Sequence, residues 1–270
     1  MLQLFPVYKK RMLLNAGIWL GFLAVAAILY PQLPLPAVLL AGAAGTLILI
    51  GLQYIHAAGM HNGLLNVLYN ELDAERFLAR YEPLAHVPVK SNRLYLMVRV
   101  HLSNAYCALG RFDDAIALLE GTEVKPDKPE NMLLTRFAVS SNLCYCALQM
   151  GNLDAAQKHL DNLLSAKAQL EEFQKSLPER KRMVLSTALN EQCMTFLKTG
   201  KADIEFLRTQ VQAGNNQQLH RITTSLWIAR AYLSENNRRE AEKLLRRIVE
   251  LAPCLYPGKA AQELLDRLPG

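Results

Sequence analysis

Charged residues are absent from one long stretch of the chain and frequent in the rest. No Lys, Arg, Asp or Glu lies between Arg11 and Glu71, and within this stretch residues 12–30 and 33–55 are almost entirely apolar. A helix of 19 residues is about 28 Å long, which is close to the hydrocarbon thickness of a bilayer. The pattern therefore predicts two membrane-spanning helices.

The two apolar segments are joined by a short segment that contains Pro31, Pro34 and Pro36. Prolines stop one helix and allow the next to start, so we expect an antiparallel hairpin within residues 1–56. The first apolar run is longer than that of a cleaved signal peptide, and a second run follows at once. Helices that are apolar on every face are also rare in the cores of soluble proteins.

The basic residues next to the apolar segments predict the orientation. Lys9, Lys10 and Arg11 precede the first segment, and Arg76 and Arg80 follow the second. Because cytoplasmic flanks are enriched in Lys and Arg, we expect both termini in the cytoplasm and a two-span, multi-pass protein of the cell membrane, with bilayer lipid around it. Neither apolar segment contains Lys, Arg, His, Asp or Glu, which favours an anchor over a channel or carrier.

Small residues recur at four-residue spacing in both apolar segments, at Gly17 and Gly21 in the first and at Ala37, Ala41 and Gly45 in the second. Such spacing allows helices to approach closely in lipid. The two segments could pack against each other or could form a homodimer. We favour the first interpretation because an intramolecular partner is already present.

In residues 57–270, one set of residues recurs with the same offsets in three places, starting at Leu102, Leu143 and Ile228. In each place a small residue follows the large apolar one, a turn residue comes eight positions after the start, and an alanine comes five positions after the turn. The turn residues are Gly110, Gly151 and Asn236, and the alanines are Ala115, Ala156 and Ala241.

This pattern resembles the tetratricopeptide repeat superfamily, whose 34-residue unit is a pair of helices. The resemblance covers residues 94–268. The last unit has Asn236 where the family has Gly, and Asn tolerates the left-handed conformation that such a turn requires. A weaker unit contains Leu189 and Gly200 but has Glu205 where alanine is expected. The turn residues are 41, 49 and 36 positions apart, which predicts an irregular array with long helices.

The predicted fold class is therefore all-α. A short amphipathic helix cannot bury its apolar stripe alone, and stacking of helix pairs into a solenoid buries it. We expect one long helix over residues 152–177 and a C-terminal capping helix over residues 258–268. Residues 71–84 resemble the second helix of an additional unit, whose first helix could be a continuation of the second membrane span.

Residues that could carry chemistry do not form a known pattern. The five cysteines include no C-x-x-C pair, the six histidines lack metal-ligand spacing, and no phosphate-binding loop or nucleophile motif is present. We predict no enzymatic activity, no cofactor, no metal site and no small-molecule substrate. The net charge is +6, of which +3 comes from Lys9, Lys10 and Arg11; the small remainder disfavours nucleic acid as a partner.

The resemblance implies that the first helices of the pairs line a concave groove that binds a protein or peptide. Some members of the superfamily hold a peptide carboxylate there with cations beside two asparagines. Val100, Thr187 and Glu191 occupy those cation positions here, which argues against a carboxylate clamp. The implied groove residues are Asn104, Ser141, Asn142, Tyr145, Gln149, Asn190, Met194, Trp227 and Arg230.

The leading hypothesis is a membrane-anchored adaptor or scaffold that presents a peptide-binding repeat groove at the cytoplasmic face. An accessory subunit of a larger membrane complex and a regulatory module that binds RNA or anionic lipid are the alternatives.

Overall fold

The structure, a computed structural model, describes residues 7–29, 35–87, 91–122, 127–173, 180–213 and 217–268. These residues form twelve helices and no strand. The helices are α1 Val7–Leu29, α2 Leu35–Tyr69, α3 Ala74–Ala85, α4 Asn92–Ala108, α5 Phe112–Glu120, α6 Pro129–Gln149, α7 Leu153–Phe173, α8 Arg180–Thr199, α9 Ile204–Ala213, α10 Gln218–Ser234, α11 Arg238–Leu251 and α12 Tyr256–Asp266.

The chain divides into two compact units. The first runs to Leu64 and includes the short segment that begins at His86, and the second contains Leu65–Ala85 and the chain from Lys90 onward. α2 runs from the first unit into the second as one continuous helix, so the last turn of the apolar helix is also the first helical element of the second unit.

The first unit contains the apolar helices. Among the described residues, one helix, Leu39–Tyr69 within α2, is long and apolar enough to cross a membrane, and α1 has a shorter apolar stretch, Ala16–Ala26. The proline segment at residues 30–34 lies outside the described residues. Large apolar side chains that are at least half exposed cover both helices: Ile18, Leu20, Val25, Ile28, Leu39, Leu40, Leu47, Ile48, Ile50, Leu52 and Ile55.

α2 is longer than the predicted second span. The predicted span ends at residue 55, and the helix continues to Tyr69, in agreement with the suggested continuation of the second span. A bilayer requires about 20 helical residues, and α2 has 35. The polar residues after Ile55 do not interrupt the helix, because no proline occurs between Pro36 and Tyr69.

Helices α1 and α2 approach each other at Gly42. A Cβ atom at Gly42 would lie 2.8 Å from the ring of Trp19 and 3.4 Å from that of Phe22. By contrast, open space surrounds the Cβ positions of Gly17, Gly21 and Gly45, and Ala37 and Ala41 are exposed. The contact between α1 and α2 therefore lies at Gly42, whereas the sequence analysis named Ala41 and Gly45 on either side of it.

In the second unit, α4 and α5, α6 and α7, and α10 and α11 pack against each other as antiparallel pairs. In the weaker unit, α8 packs against α6 and α7, whereas α9 packs chiefly against α10. α3 follows the end of α2 as the anticipated additional half-unit. Helix α7 confirms a long helix in residues 152–177 over its described part, and α12 confirms the C-terminal helix, beginning two residues earlier than expected.

Left-handed residues end the first helix of each pair. The φ angles of Gly110, Gly151 and Gly200 are 78°, 70° and 72°. Asn236 has a φ of 60°, which confirms that Asn replaces Gly in this conformation. The backbone N–H groups that follow donate to carbonyls of the preceding helical turn, as from Asn237 to Tyr232 at 2.8 Å.

Small and branched apolar residues form the core between the pairs. Ala115, Ala156 and Ala241, the alanines predicted to lie at close helix approaches, are each 0 % exposed. Leu163 and Leu245 are also fully buried. The recurring alanines thus allow α5, α7 and α11 to approach their neighbours.

The series of helix pairs curves so that the last pair contacts the residues at the beginning of the series. The backbone N–H of Gln218, at the start of α10, donates to Asn70 Oδ1 at 3.4 Å, and Asn70 directly follows α2. Helix α12, which follows the last pair, packs against α10 and α4 as well as against α11. The concave face, which the first helices of the pairs line, is therefore bordered by the contact of α10 with Asn70 and by α12.

Candidate functional site

The first helices of successive pairs surround one cavity of about 200 Å³, which we name the central pocket. The last turn of α2 and helices α4, α6, α8 and α10 all contribute. Its lining residues are Tyr69, Asn104, Cys107, Ala108, Ser141, Asn142, Tyr145, Ser186, Leu189, Asn190, Leu219, His220 and Thr223.

Hydrogen bonds between helices fix the polar groups on one side of the central pocket. Asn104 Nδ2 donates to Tyr69 Oη at 2.8 Å, and the same hydroxyl lies 2.8 Å from His101 Nδ1. These bonds join the end of α2 to α4. They orient the Asn104 amide and the Tyr69 hydroxyl before any ligand arrives.

A second network joins α6 and α8 on the opposite side. The hydroxyls of Ser141 and Ser186 are 2.6 Å apart, and Asn190 Nδ2 donates to Ser141 Oγ at 3.3 Å. Asn142 Nδ2 donates to the Ala138 carbonyl at 2.8 Å within α6. The amides and hydroxyls that face the cavity are therefore held in place by bonds between α6 and α8 and by one bond within α6.

The lining of the central pocket carries no formal charge at neutral pH. No Lys, Arg, Asp or Glu belongs to it. Burial raises the pKa of Tyr145 well above its usual value, so its phenol stays protonated. Burial also lowers the pKa of His220, so its imidazole is neutral at pH 7. The arrangement can bind an uncharged group through hydrogen bonds.

Tyr256 of α12 covers the concave face beside the central pocket. Its ring packs edge-on against Phe112 with centroids 4.8 Å apart. Its hydroxyl donates to the Gln149 carbonyl at 3.4 Å and accepts from Arg230 Nη2 at 3.5 Å. The C-terminal helix thus occupies the part of the groove that lies toward the ends of α4 and α6.

The predicted groove residues divide into two sets. Asn104, Ser141, Asn142, Tyr145 and Asn190 line the central pocket. Four others do not, for reasons visible in the packing: Met194 and Trp227 are 3 % exposed in the core, Gln149 lies under Tyr256, and Arg230 stacks over Trp227 at 4.8 Å. Partner binding by either set remains a prediction.

The same family offsets also give Cys107, Ala108 and Thr223, and all three line the pocket. The remaining five lining residues were not anticipated. Ser186 lies one turn before Asn190, and Leu219 and His220 lie one turn before Thr223, so helical spacing could have identified all three. Leu189 is next to Asn190 in the sequence. Tyr69 had no such signal, because it belongs to the long helix α2 and not to a recognisable repeat.

In the described part of the chain, no group of three or more His, Cys, Asp or Glu side chains could hold a metal ion. The five cysteines all belong to the described residues and are free thiols, and four of the five are buried.

Comparison with known families matches residues 223–253 to a tetratricopeptide repeat. This segment runs from the middle of α10 to Pro253, just after α11, and includes the Asn236 turn. Neither the curated proteins nor the solved structures gave a match to the chain. The chain therefore contains one recognisable tetratricopeptide repeat within an all-helical array, and such repeats are typically modules that bind proteins or peptides and lack enzymatic activity.

Proposed function

We propose that this protein is a membrane-anchored adaptor whose repeat domain binds a partner protein through the central pocket. The observation that carries the proposal is the convergence of the first helices on a single uncharged, hydrogen-bonding cavity. Buried polar groups at fixed positions provide specificity at low entropic cost, because the site is already organised.

The pocket chemistry suggests the kind of group that the partner inserts. Asn104, Asn142 and Asn190 offer amides, Ser141 and Ser186 offer hydroxyls, and none of the lining side chains could neutralise a carboxylate. We expect a neutral, hydrogen-bonding segment, such as a side-chain amide or a turn of main chain. Because Tyr256 covers the adjoining part of the concave face, the segment enters as a tip and does not run through as a long extended peptide.

The proposed anchor is the two-span hairpin with both termini in the cytoplasm. It is supported by the apolar length of α2, by the exposed apolar side chains on α1 and α2, and by the basic residues at positions 9–11. Exposed apolar surface on this scale is costly in water and is stabilised by lipid. Retention in the membrane pellet after alkaline carbonate extraction is the expected result; release into the supernatant would refute the anchor.

Photocrosslinking in native membranes tests the binding site. We would introduce a photoreactive residue at Asn142 and, separately, at Thr223, with Asp161 on the exposed face of α7 as the matched control. The expected result is the same crosslinked partner from both pocket positions and none from Asp161. Crosslinks from Asp161 with none from the pocket would refute the proposal.

An accessory subunit of a larger membrane complex is the second candidate. Gly17 and Gly21 lie on α1 with open space where a side chain would be, and neither contacts α2 closely. Such a stripe permits close approach by a helix of another protein. A probe at Gly21 that captures a membrane protein, while the pocket probes capture nothing, would favour this candidate over the adaptor.

A further inference from the structure

Two cysteine sulfurs are in contact between helices α4 and α6. Cys107 Sγ of α4 and Cys146 Sγ of α6 are 3.2 Å apart, although 39 residues separate them in the sequence. Both residues are buried, with exposed fractions of 5 % and 0 %. A disulfide requires an S–S distance of about 2.05 Å, so a shift of about 1 Å would join them.

One of the two cysteines lies at the central pocket. Cys107 belongs to the pocket lining, whereas Cys146 does not. Hydrogen peroxide is little larger than water, and the pocket is large enough for water-sized molecules. A peroxide molecule in the cavity would therefore lie next to Cys107 without unfolding of the array.

We propose that Cys107 and Cys146 form a redox modification site, an oxidisable dithiol that a peroxide converts to a disulfide linking α4 to α6. In the first step the Cys107 sulfur attacks peroxide, the O–O bond breaks, and Cys107 becomes a sulfenic acid as water leaves. In the second step the Cys146 sulfur attacks the sulfenic sulfur, the S–O bond breaks, and a second water leaves. Two thiols are oxidised and one peroxide is reduced.

The surroundings make this a slow-reacting site. The hydrogen bond between Cys107 and Cys146, together with burial, raises the pKa of Cys107 well above that of an exposed thiol. The thiolate is the reactive form, so oxidation is slower than at an exposed cysteine of ordinary pKa. Proximity acts on the second step, since the Cys146 sulfur is already in contact with the Cys107 sulfur at 3.2 Å.

The modification would fix one edge of the pocket. Cys107 is one turn from Asn104 on α4, and Cys146 follows Tyr145 on α6. A covalent link there prevents α4 and α6 from moving apart. This inference does not depend on the identity of the partner or on the proposed binding function, so each can fail alone.

The experiment uses the full-length protein in detergent with the exposed Cys254 replaced by serine, which prevents disulfides between molecules and leaves four cysteines. The folded protein is treated with hydrogen peroxide, then denatured, alkylated with N-ethylmaleimide and analysed by mass spectrometry. We expect two of the four thiols to resist alkylation and a peptide pair that joins Cys107 to Cys146, both reversed by dithiothreitol.

Two further variants are the controls. Cys146→Ser should abolish the intramolecular disulfide, whereas Cys144→Ser, which removes a buried thiol two residues away, should leave it intact. Circular dichroism shows whether each variant keeps its helices. Alkylation of all four cysteines after peroxide, a different disulfide pair, or a disulfide that forms only in urea would each overturn the proposal, and none of these outcomes requires the variants to fold.

Discussion

Gly258 lies in the first turn of α12, against the segment that follows α11. A Cβ atom there would be 1.9 Å from the carbonyl oxygen and 2.7 Å from the carbonyl carbon of Ala252, and 3.2 Å from Pro253 Cα. All three atoms belong to the backbone, so no rotation of a side chain can relieve the contact. The substitution Gly258→Ala therefore tests how tightly α12 is held against the array.

The expected cost follows from that distance. Raising the contact from 1.9 Å to the 3.0 Å that real Cβ atoms respect requires a displacement of about 1.1 Å. α12 cannot move that far without disturbing Leu255 and Ala261, which are 2 % and 0 % exposed. Overpacking in a core costs about 1–3 kcal/mol, and we expect about 3 kcal/mol because the strain falls on backbone. That is roughly a hundredfold change in the folding equilibrium.

Urea unfolding of the full chain in detergent, followed by far-UV circular dichroism, measures the effect. Gly63→Ala is the matched control, since Gly63 lies on an exposed face of α2 with open space around its Cβ position, and alanine there should be neutral or slightly stabilising. Equal stability of Gly258→Ala and the parent protein, within about 0.5 kcal/mol, would contradict the described packing of α12.

Three further predictions concern a turn, a helix end and a buried histidine. Because Asn236 has a φ of 60°, Asn236→Gly should be neutral or stabilising and Asn236→Ala should cost about 1–2 kcal/mol in the same unfolding assay; equal effects of the two substitutions would argue against a left-handed turn. Arg99 donates to the carbonyls of Leu118 and Gly121 at the end of α5, at 2.8 and 3.0 Å, so Arg99→Met should cost about 1.5–3 kcal/mol, and a loss below about 0.5 kcal/mol would mean that these bonds do not form in solution. The pKa of His220 is lowered below 6.5, so the unfolded state binds more protons and stability should fall as the pH drops below 6.5; His220→Gln should weaken that dependence, and an unchanged pH profile would refute the assignment.

Local signals explain which parts of the fold the sequence predicts. Gly110, Gly151 and Gly200 all adopt positive φ. The first two are predicted by their distance from a large apolar residue and a small one, and Gly200 belongs to the weaker unit. A few neighbouring residues decide both the turn and the close approach of the helices, so both can be predicted from one sequence. Asn236 extends the rule, since its side chain tolerates a conformation that most residues avoid.

The central pocket depends on features that are not local. Tyr69 and His220 line the same cavity although they come from opposite ends of the array, because the array curves until the start of α10 reaches the residue that follows α2. Offsets taken from a regular 34-residue unit assign Trp227 and Met194 to the groove. In this array the helices are longer and the pairs are spaced differently, so both side chains turn into the core.

The contact of Tyr256 with Phe112 is a second feature that the sequence does not predict. Nothing in the sequence of α12 indicates that its first residue packs against Phe112, more than 140 positions away. The contact requires both the curl of the array and the absence of a side chain at Gly110, whose Cβ position lies 3.2 Å from the Tyr256 ring. Gly110 thus serves the turn of its own pair and also makes room for the capping helix.

The dithiol and the proposed orientation constrain each other. Cytosolic thiol systems keep cysteines reduced, whereas oxidising compartments on the other side of a membrane favour disulfides. If the repeat domain faces the cytoplasm, as the basic residues at positions 9–11 suggest, Cys107 and Cys146 should both be alkylated in unstressed cells after rapid acid quenching and denaturation. A disulfide in those cells would place the domain on the oxidising side and would contradict the orientation, while leaving the reactivity of the pair intact. The redox state of one buried contact therefore reports topology independently of the charge pattern from which the topology was inferred.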